Sequence, residues 1–214
     1  MKLEPNNHWY WFVSAPLYLH LGDTEEYRRI CRDMLARFGN TDKPEIARRV
    51  AKTCSLAPEA VNDFEPVLKL ADRGAADREQ HLNYRWYVLT RGLAEYRAGH
   101  FAAAVEWMDR FSPEVDGVHC DATAFALLAL AKHRLSKGRQ EPRTPVSGSD
   151  QPDVKSTRLA EEARTAVAHA EAILSKNMPD PNAGRPFGGD FQDWLHARVL
   201  TNEAKALLNK TSPK

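Results

Sequence analysis

The residues whose types could do chemistry are the soft ligands, the thiols, the paired carboxylates and the arginine clusters. The chain carries 8 histidines and 3 cysteines. His119-Cys120 is the one adjacent pair of soft ligands, placed just before a predicted helix. Neither H-E-x-x-H nor a paired C-x-x-C occurs, so no metal site is read and His119 is taken as a loop histidine beside a packed cysteine. A serine nucleophile would need a sharp elbow such as G-x-S-x-G, which is absent. Cys31, Cys54 and Cys120 fall at helix positions that favour burial, where a thiol is inert. Gly188-Gly189-Asp190 precedes the last predicted helix, whose N-terminus attracts anions. No Walker lysine follows, and Asp190 would repel phosphate, so Asp190 is read as an N-cap. Glu25-Glu26 and Glu161-Glu162 lie in first turns of helices, where carboxylates suit the macrodipole. Together these features predict no catalytic residue, no metal and no cofactor, hence a chain that is not an enzyme.

Nucleic acid is the other chemistry to weigh. Arg28-Arg29 and Arg48-Arg49 lie on neighbouring predicted helices, and Tyr84-Arg85-Trp86 interleaves aromatic and basic groups as stacking surfaces do. Acidic residues flank all three, and the net charge is only +1. Solvated helix faces are the plainer reading, and RNA binding is kept as the alternative function.

Something must position these residues, and the apolar spacing says what. Three- and four-residue periods dominate, strand alternation is nearly absent, and 214 residues suffice for one domain that hides roughly 70% of its unfolded surface. The spacing predicts helices over Trp9–His20, Asp23–Phe38 and from Thr41 or Asp42 with Pro44 in its first turn. A fourth begins near Ser55–Pro58, with Val61, Phe64 and Leu68 inward and Pro66 as a kink. Further helices are predicted over Asn83–Ala98, Phe101–Phe111, Ala122–Ser136, Arg158–Lys176 and Phe191–Leu208. Residues 139–157, rich in Pro, Ser and Gly, read as an exposed insertion within a single unit spanning 1–214. The odd cysteine count argues against a disulfide framework and for a reducing, cytoplasmic setting. No signal peptide is read, and the apolar stretch Trp9–Leu21 is too short to span a bilayer, so no membrane association is expected.

The segment Tyr87–Trp107 then carries a resemblance. The segment resembles a tetratricopeptide repeat. In that resemblance Gly92 matches the small residue where two helices cross closely, Gly99 falls at the turn between them, Phe101 matches the turn aromatic and Ala104 the small residue that opens the second helix's packing face. Leu21-Gly22-Asp23 with Tyr27-Arg28-Arg29, Leu93–Gly99, and the closing Asp193-Trp194-Leu195 with Glu203-Ala204 are similar to the C-terminal repeat regions of large bacterial serine/threonine protein kinases and related signalling proteins. The kinase domain itself is absent from this chain. Cys31-Arg32-Asp33-Met34 mimics a kinase catalytic loop but lacks its histidine and the asparagine that should follow, so kinase activity is not implied.

The resemblance implies an all-α, right-handed superhelix of about eight or nine helices in stacked hairpins, with a concave groove lined by the first helix of each. The function it implies is a non-catalytic scaffold holding a protein or peptide partner. Trp86, Leu89, Leu93 and Tyr96 would anchor that partner, and Arg97 would meet an acidic group. The cluster Trp9–Phe12 marks an aromatic end through which the chain could form a homodimer.

Overall fold

A computed structural model describes residues 6–75, 84–112, 117–138 and 154–210. The described residues form nine α-helices and no strand, so the chain is all-α as its spacing predicts. They are α1 (His8–His20), α2 (Thr24–Phe38), α3 (Pro44–Ser55), α4 (Glu65–Ala75), α5 (Tyr84–Arg97), α6 (Phe101–Asp109), α7 (Val118–Lys137), α8 (Val154–Asn177) and α9 (Phe191–Asn209).

Local chemistry accounts for most helix ends. The Asp23 carboxylate accepts the Glu26 N–H at 3.0 Å and starts α2. Gly99, with φ of 87°, makes the turn between α5 and α6 in a conformation that costs any other residue. Several boundaries differ from those the spacing predicts. Pro16 lies within α1 without ending it. The N-cap of α3 is Lys43 rather than Thr41 or Asp42, with Pro44 opening the helix as expected. α3 continues through Ser55, so Ser55–Pro58 ends one helix instead of starting the next. Val61 and Phe64 therefore precede α4, and Pro66 is no kink: it stands in the first turn, where a missing N–H is harmless. The buried Tyr27 hydroxyl fixes this bend, donating to the Thr53 carbonyl at 2.8 Å and accepting the Ala57 N–H at 3.0 Å.

α7 begins a turn earlier than predicted, behind Gly117 at φ 97°, so His119 and Cys120 are helical residues and not loop residues. α8 also starts early. Val154–Thr157, read as part of the insertion, are helical, and 139–153 lie outside the described residues, as does Asn83. Asp190 precedes α9 but its carboxylate makes no cap. It accepts the Trp194 indole N–H at 3.2 Å.

Sequential pairs α1–α2, α3–α4, α5–α6 and α7–α8 pack together, and each odd helix also packs on the next, α1 on α3, α3 on α5, α5 on α7. The α5–α6 crossing is as close as its small residues imply. A Cβ on Gly92 would lie 2.6 Å from the Met108 methyl, Ala104 is fully buried, and the Tyr96 and Phe101 rings sit 5.6 Å apart beside them. The last helix departs from an open stack. α9 packs on both α1 and α7, the two ends of the odd-helix row, and on α8. One apolar core runs from Trp11 in α1 through Leu200 and Ala204 in α9.

Candidate functional site

Every odd helix sends a side chain to α9. From α1, the Phe12 ring meets the His196 ring edge-on at 5.3 Å. From α3, Lys52 Nζ lies 3.1 Å from Asp193 Oδ1. From α5, Arg97 grips both Glu203 oxygens at 2.6 Å. From α7, the His119 ring packs 5.4 Å from Trp194. A helix is straight enough for Asp193 and Glu203, ten residues apart, to stand about 15 Å apart along one rod.

The Lys52 contact is a buried polar cluster. Lys52 is 1% exposed, and its ammonium lies 4.6 Å from the Trp86 ring centre and 5.9 Å from that of Phe12. Asp193 also receives the Gln192 amide at 2.9 Å and faces His196 Nδ1 at 3.3 Å. Burial alone would raise the Asp193 carboxyl, but Lys52 and His196 outweigh it and hold the group well below its ordinary value. Burial, reinforced by the Lys52 charge, lowers His196 to about 4, so this imidazole is neutral at pH 7. Burial likewise lowers His119. An aspartate, a lysine and a histidine in contact are a familiar catalytic set. Here the lysine is sealed by two aromatic rings, and its charge is spent on Asp193.

The Arg97 contact is equally closed. Nε donates to the Ser55 carbonyl and Nη2 to the Leu56 carbonyl, both at 2.8 Å, besides the fork onto Glu203. Arg97 therefore clamps the end of α3, and its guanidinium has no fork left for an outside acid.

The five residues assigned to partner binding are consequently not an open wall. Leu89 and Leu93 are fully buried and Tyr96 nearly so. Arg97 is saturated by Glu203, and the half-buried Trp86 lies against Lys52 and the His119 ring, 5.6 Å away. α5 packs on α3, α4, α6 and α7, and its C-terminal Arg97 is tied to Glu203 of α9. Of the residues assigned to helix packing, Gly92 faces Met108 and Trp107 of α6, Gly99 makes the turn, Phe101 opens α6 and Ala104 is buried.

The arginine pairs divide. Arg28 and Arg29 lie on a solvated face, bridged to Glu25, Glu59, Glu26 and Asp33. Arg48 and Arg49 turn inward, correcting their reading as solvent-facing. Both pair with Glu45, Arg48 stacks toward Tyr87 at 5.6 Å, and Arg49 covers Trp9 at 4.9 Å. Arg85 is buried against Asp121. All three cysteines are buried free thiols, and burial pushes Cys120 up to about 11. Among the described residues, no group of three or more His, Cys, Asp or Glu side chains is placed to hold a metal ion, and no helix is long and apolar enough to cross a membrane.

The outer face of α1 carries exposed apolar side chains. Trp9, Tyr10, Leu17 and Leu21 are four of the five large apolar side chains left exposed among the described residues, Leu21 at 77%. Spacings of seven and four put Tyr10, Leu17 and Leu21 on one stripe. The aromatic cluster itself splits, since Trp11 and Phe12 are core residues. Lys52, Asp193, His196 and Glu203 did not stand out as site residues in the sequence. A faint signal was present, in that Asp193 and Glu203 are acidic residues within an otherwise apolar helical stripe.

No family model matches the chain, and no curated protein and no solved structure matches it.

Proposed function

We propose that this chain is a non-catalytic scaffold that binds a partner protein through the outer face of α1. The observation that carries the reading is the concentration of exposed large apolar side chains on α1 and its C-cap Leu21. Exposed leucines are ordinary when scattered, whereas a contiguous stripe at helical spacing costs solubility and signals a contact. The groove reading is revised accordingly, because Leu89, Leu93 and Tyr96 are buried and Arg97 is held by Glu203. The α5–α6 crossing at Gly92 and Ala104 supports a tetratricopeptide-like origin for the hairpins. Burial of the thiols and of Lys52 supports a chain without chemistry of its own. RNA binding draws no support from the arginine pairs, whose charge is taken up by neighbouring carboxylates.

The test compares the native chain with Leu17→Asp/Leu21→Asp. Both side chains are exposed, so the variant should keep its helical content and melting temperature. Quantitative co-purification from the native lysate, with nuclease treatment, should recover a protein that the variant loses. Light scattering tests the same face for self-association, in which case the partner is a second copy. Identical recovery by both forms, with both monomeric, overturns the assignment to α1.

A further inference from the structure

At the far end of α9 from Lys52, a cavity of about 390 Å³ opens between the bend after α3, the α5–α6 turn and α7. Its size falls at the low end of ligand pockets, about 300–1,000 Å³. Phe64, Tyr96 and Phe101 form its aromatic wall. Two of its charges are already spent, since Arg97 and Glu203 satisfy each other through the fork described above. Glu59 stands on the rim, turned outward to Arg28 at 3.2 Å. Its φ of 56° is a left-handed conformation that a non-glycine residue adopts at a cost, the kind of local strain that clusters at ligand clamps.

Arg134, on α7, is different. It is exposed at the cavity, and its guanidinium lies 6.0 Å from the Phe101 ring centre. No carboxylate among the described residues pairs with it. The cavity thus has one cation outside any ion pair, set beside an aromatic wall.

We propose that this cavity binds a small carboxylic acid with an aromatic body. The carboxylate meets the planar fork of Arg134, and the ring packs among Phe64, Tyr96 and Phe101. A single arginine suits a monoanion; a phosphate monoester would call for more cationic donors than the cavity offers. The Pro58–Val61 bend on one side favours a small body over an extended chain.

The probe is 4-fluorophenylacetate, titrated against the full chain by 19F NMR line broadening, with 4-fluorophenylacetamide as its neutral counterpart. The acid should bind, and the amide should bind roughly ten-fold more weakly or worse, the loss of a charge-assisted contact. Arg134→Gln should weaken the acid by a similar factor, leave the amide unchanged and keep the helical spectrum, because Arg134 is exposed. Arg134→Lys should recover part of the loss. Absence of acid binding at millimolar concentration overturns the proposal. So does equal binding of acid and amide, or undiminished acid binding by Arg134→Gln.

Discussion

Lys52 and Asp193 stand 141 positions apart in the chain and 3.1 Å apart in space. Their contact joins the second hairpin to the C-terminal helix, and Lys52 is among the most deeply buried side chains of the structure. A buried ion pair is weak evidence for net stability, because two desolvation penalties oppose one attraction. Any other register of α9 would leave the Lys52 ammonium without the Asp193 carboxylate.

Asp193→Ala should therefore destabilise the chain by about 3–5 kcal/mol, since it leaves the Lys52 ammonium buried and unpaired. Lys52→Met combined with Asp193→Leu should recover most of that loss. Urea unfolding of the three forms gives the comparison. Equal stability of Asp193→Ala and the native chain would show that Lys52 escapes to water, contrary to its placement.

Acid should loosen the same helix. His196 is depressed to about 4 from an ordinary 6.5, so below pH 6.5 the unfolded chain binds a proton that the folded chain refuses. Stability is complete above that value and falls as pH drops toward 4, by about 2–4 kcal/mol from this group alone. His119 is lowered too and acts in the same direction, and Asp193 extends the loss below its ordinary range of about 4. The melting temperature should fall between pH 7 and pH 4.5, and His196→Gln should flatten that slope. A slope unchanged in His196→Gln would remove this histidine from the account.

Gly92 tests the α5–α6 crossing. Its added Cβ meets the terminal methyl of Met108, a flexible group that can swing aside, while the helix gains about 1 kcal/mol of propensity from alanine. Gly92→Ala should thus stay within about 1 kcal/mol of the native chain. Gly92→Val should cost about 1–3 kcal/mol, as overpacking against Trp107 and Leu127 does. Thermal melts of both variants decide it, and a stabilised Gly92→Val would refute the close crossing.

The thiols should be inert in the folded chain. Cys31, Cys54 and Cys120 are fully buried, and hydrogen bonding to Cys31 together with burial raises the Cys54 thiol, as burial raises that of Cys120. Iodoacetamide at pH 8 should leave the native protein unmodified by mass spectrometry and label all three sites in denaturant. Rapid native labelling of any one would mark a local opening that this packing does not provide.

Much of the local architecture was legible in the residues themselves. Three- and four-residue spacing encodes an amphipathic helix whatever surrounds it, which is why every predicted helix has an observed counterpart. The Asp23 cap, the Gly99 turn and the Gly92–Ala104 crossing follow from side-chain size and backbone freedom over a few residues. Boundaries failed where a tertiary partner intervened. Tyr27, held to Thr53 and Ala57, sets the bend that shifts α4, and Asp190 gives its carboxylate to Trp194 instead of to a cap.

The candidate site was the part that sequence could not supply. Arg48 and Lys52 look like solvent-facing basic residues on α3, and Tyr96-Arg97 looks like a groove edge, because a helical pattern says which face is apolar but not what covers the rest. The chain's residues alone determined that it is helical and stacked in hairpins, since both follow from short-range periodicity and short turns. Only the tertiary structure decided that α9 returns to pack on α1 and α7 and to take a side chain from α3 and from α5. That choice depends on pairings such as Lys52–Asp193 and Arg97–Glu203 between distant segments, whose attraction has no signature in the neighbours of either residue.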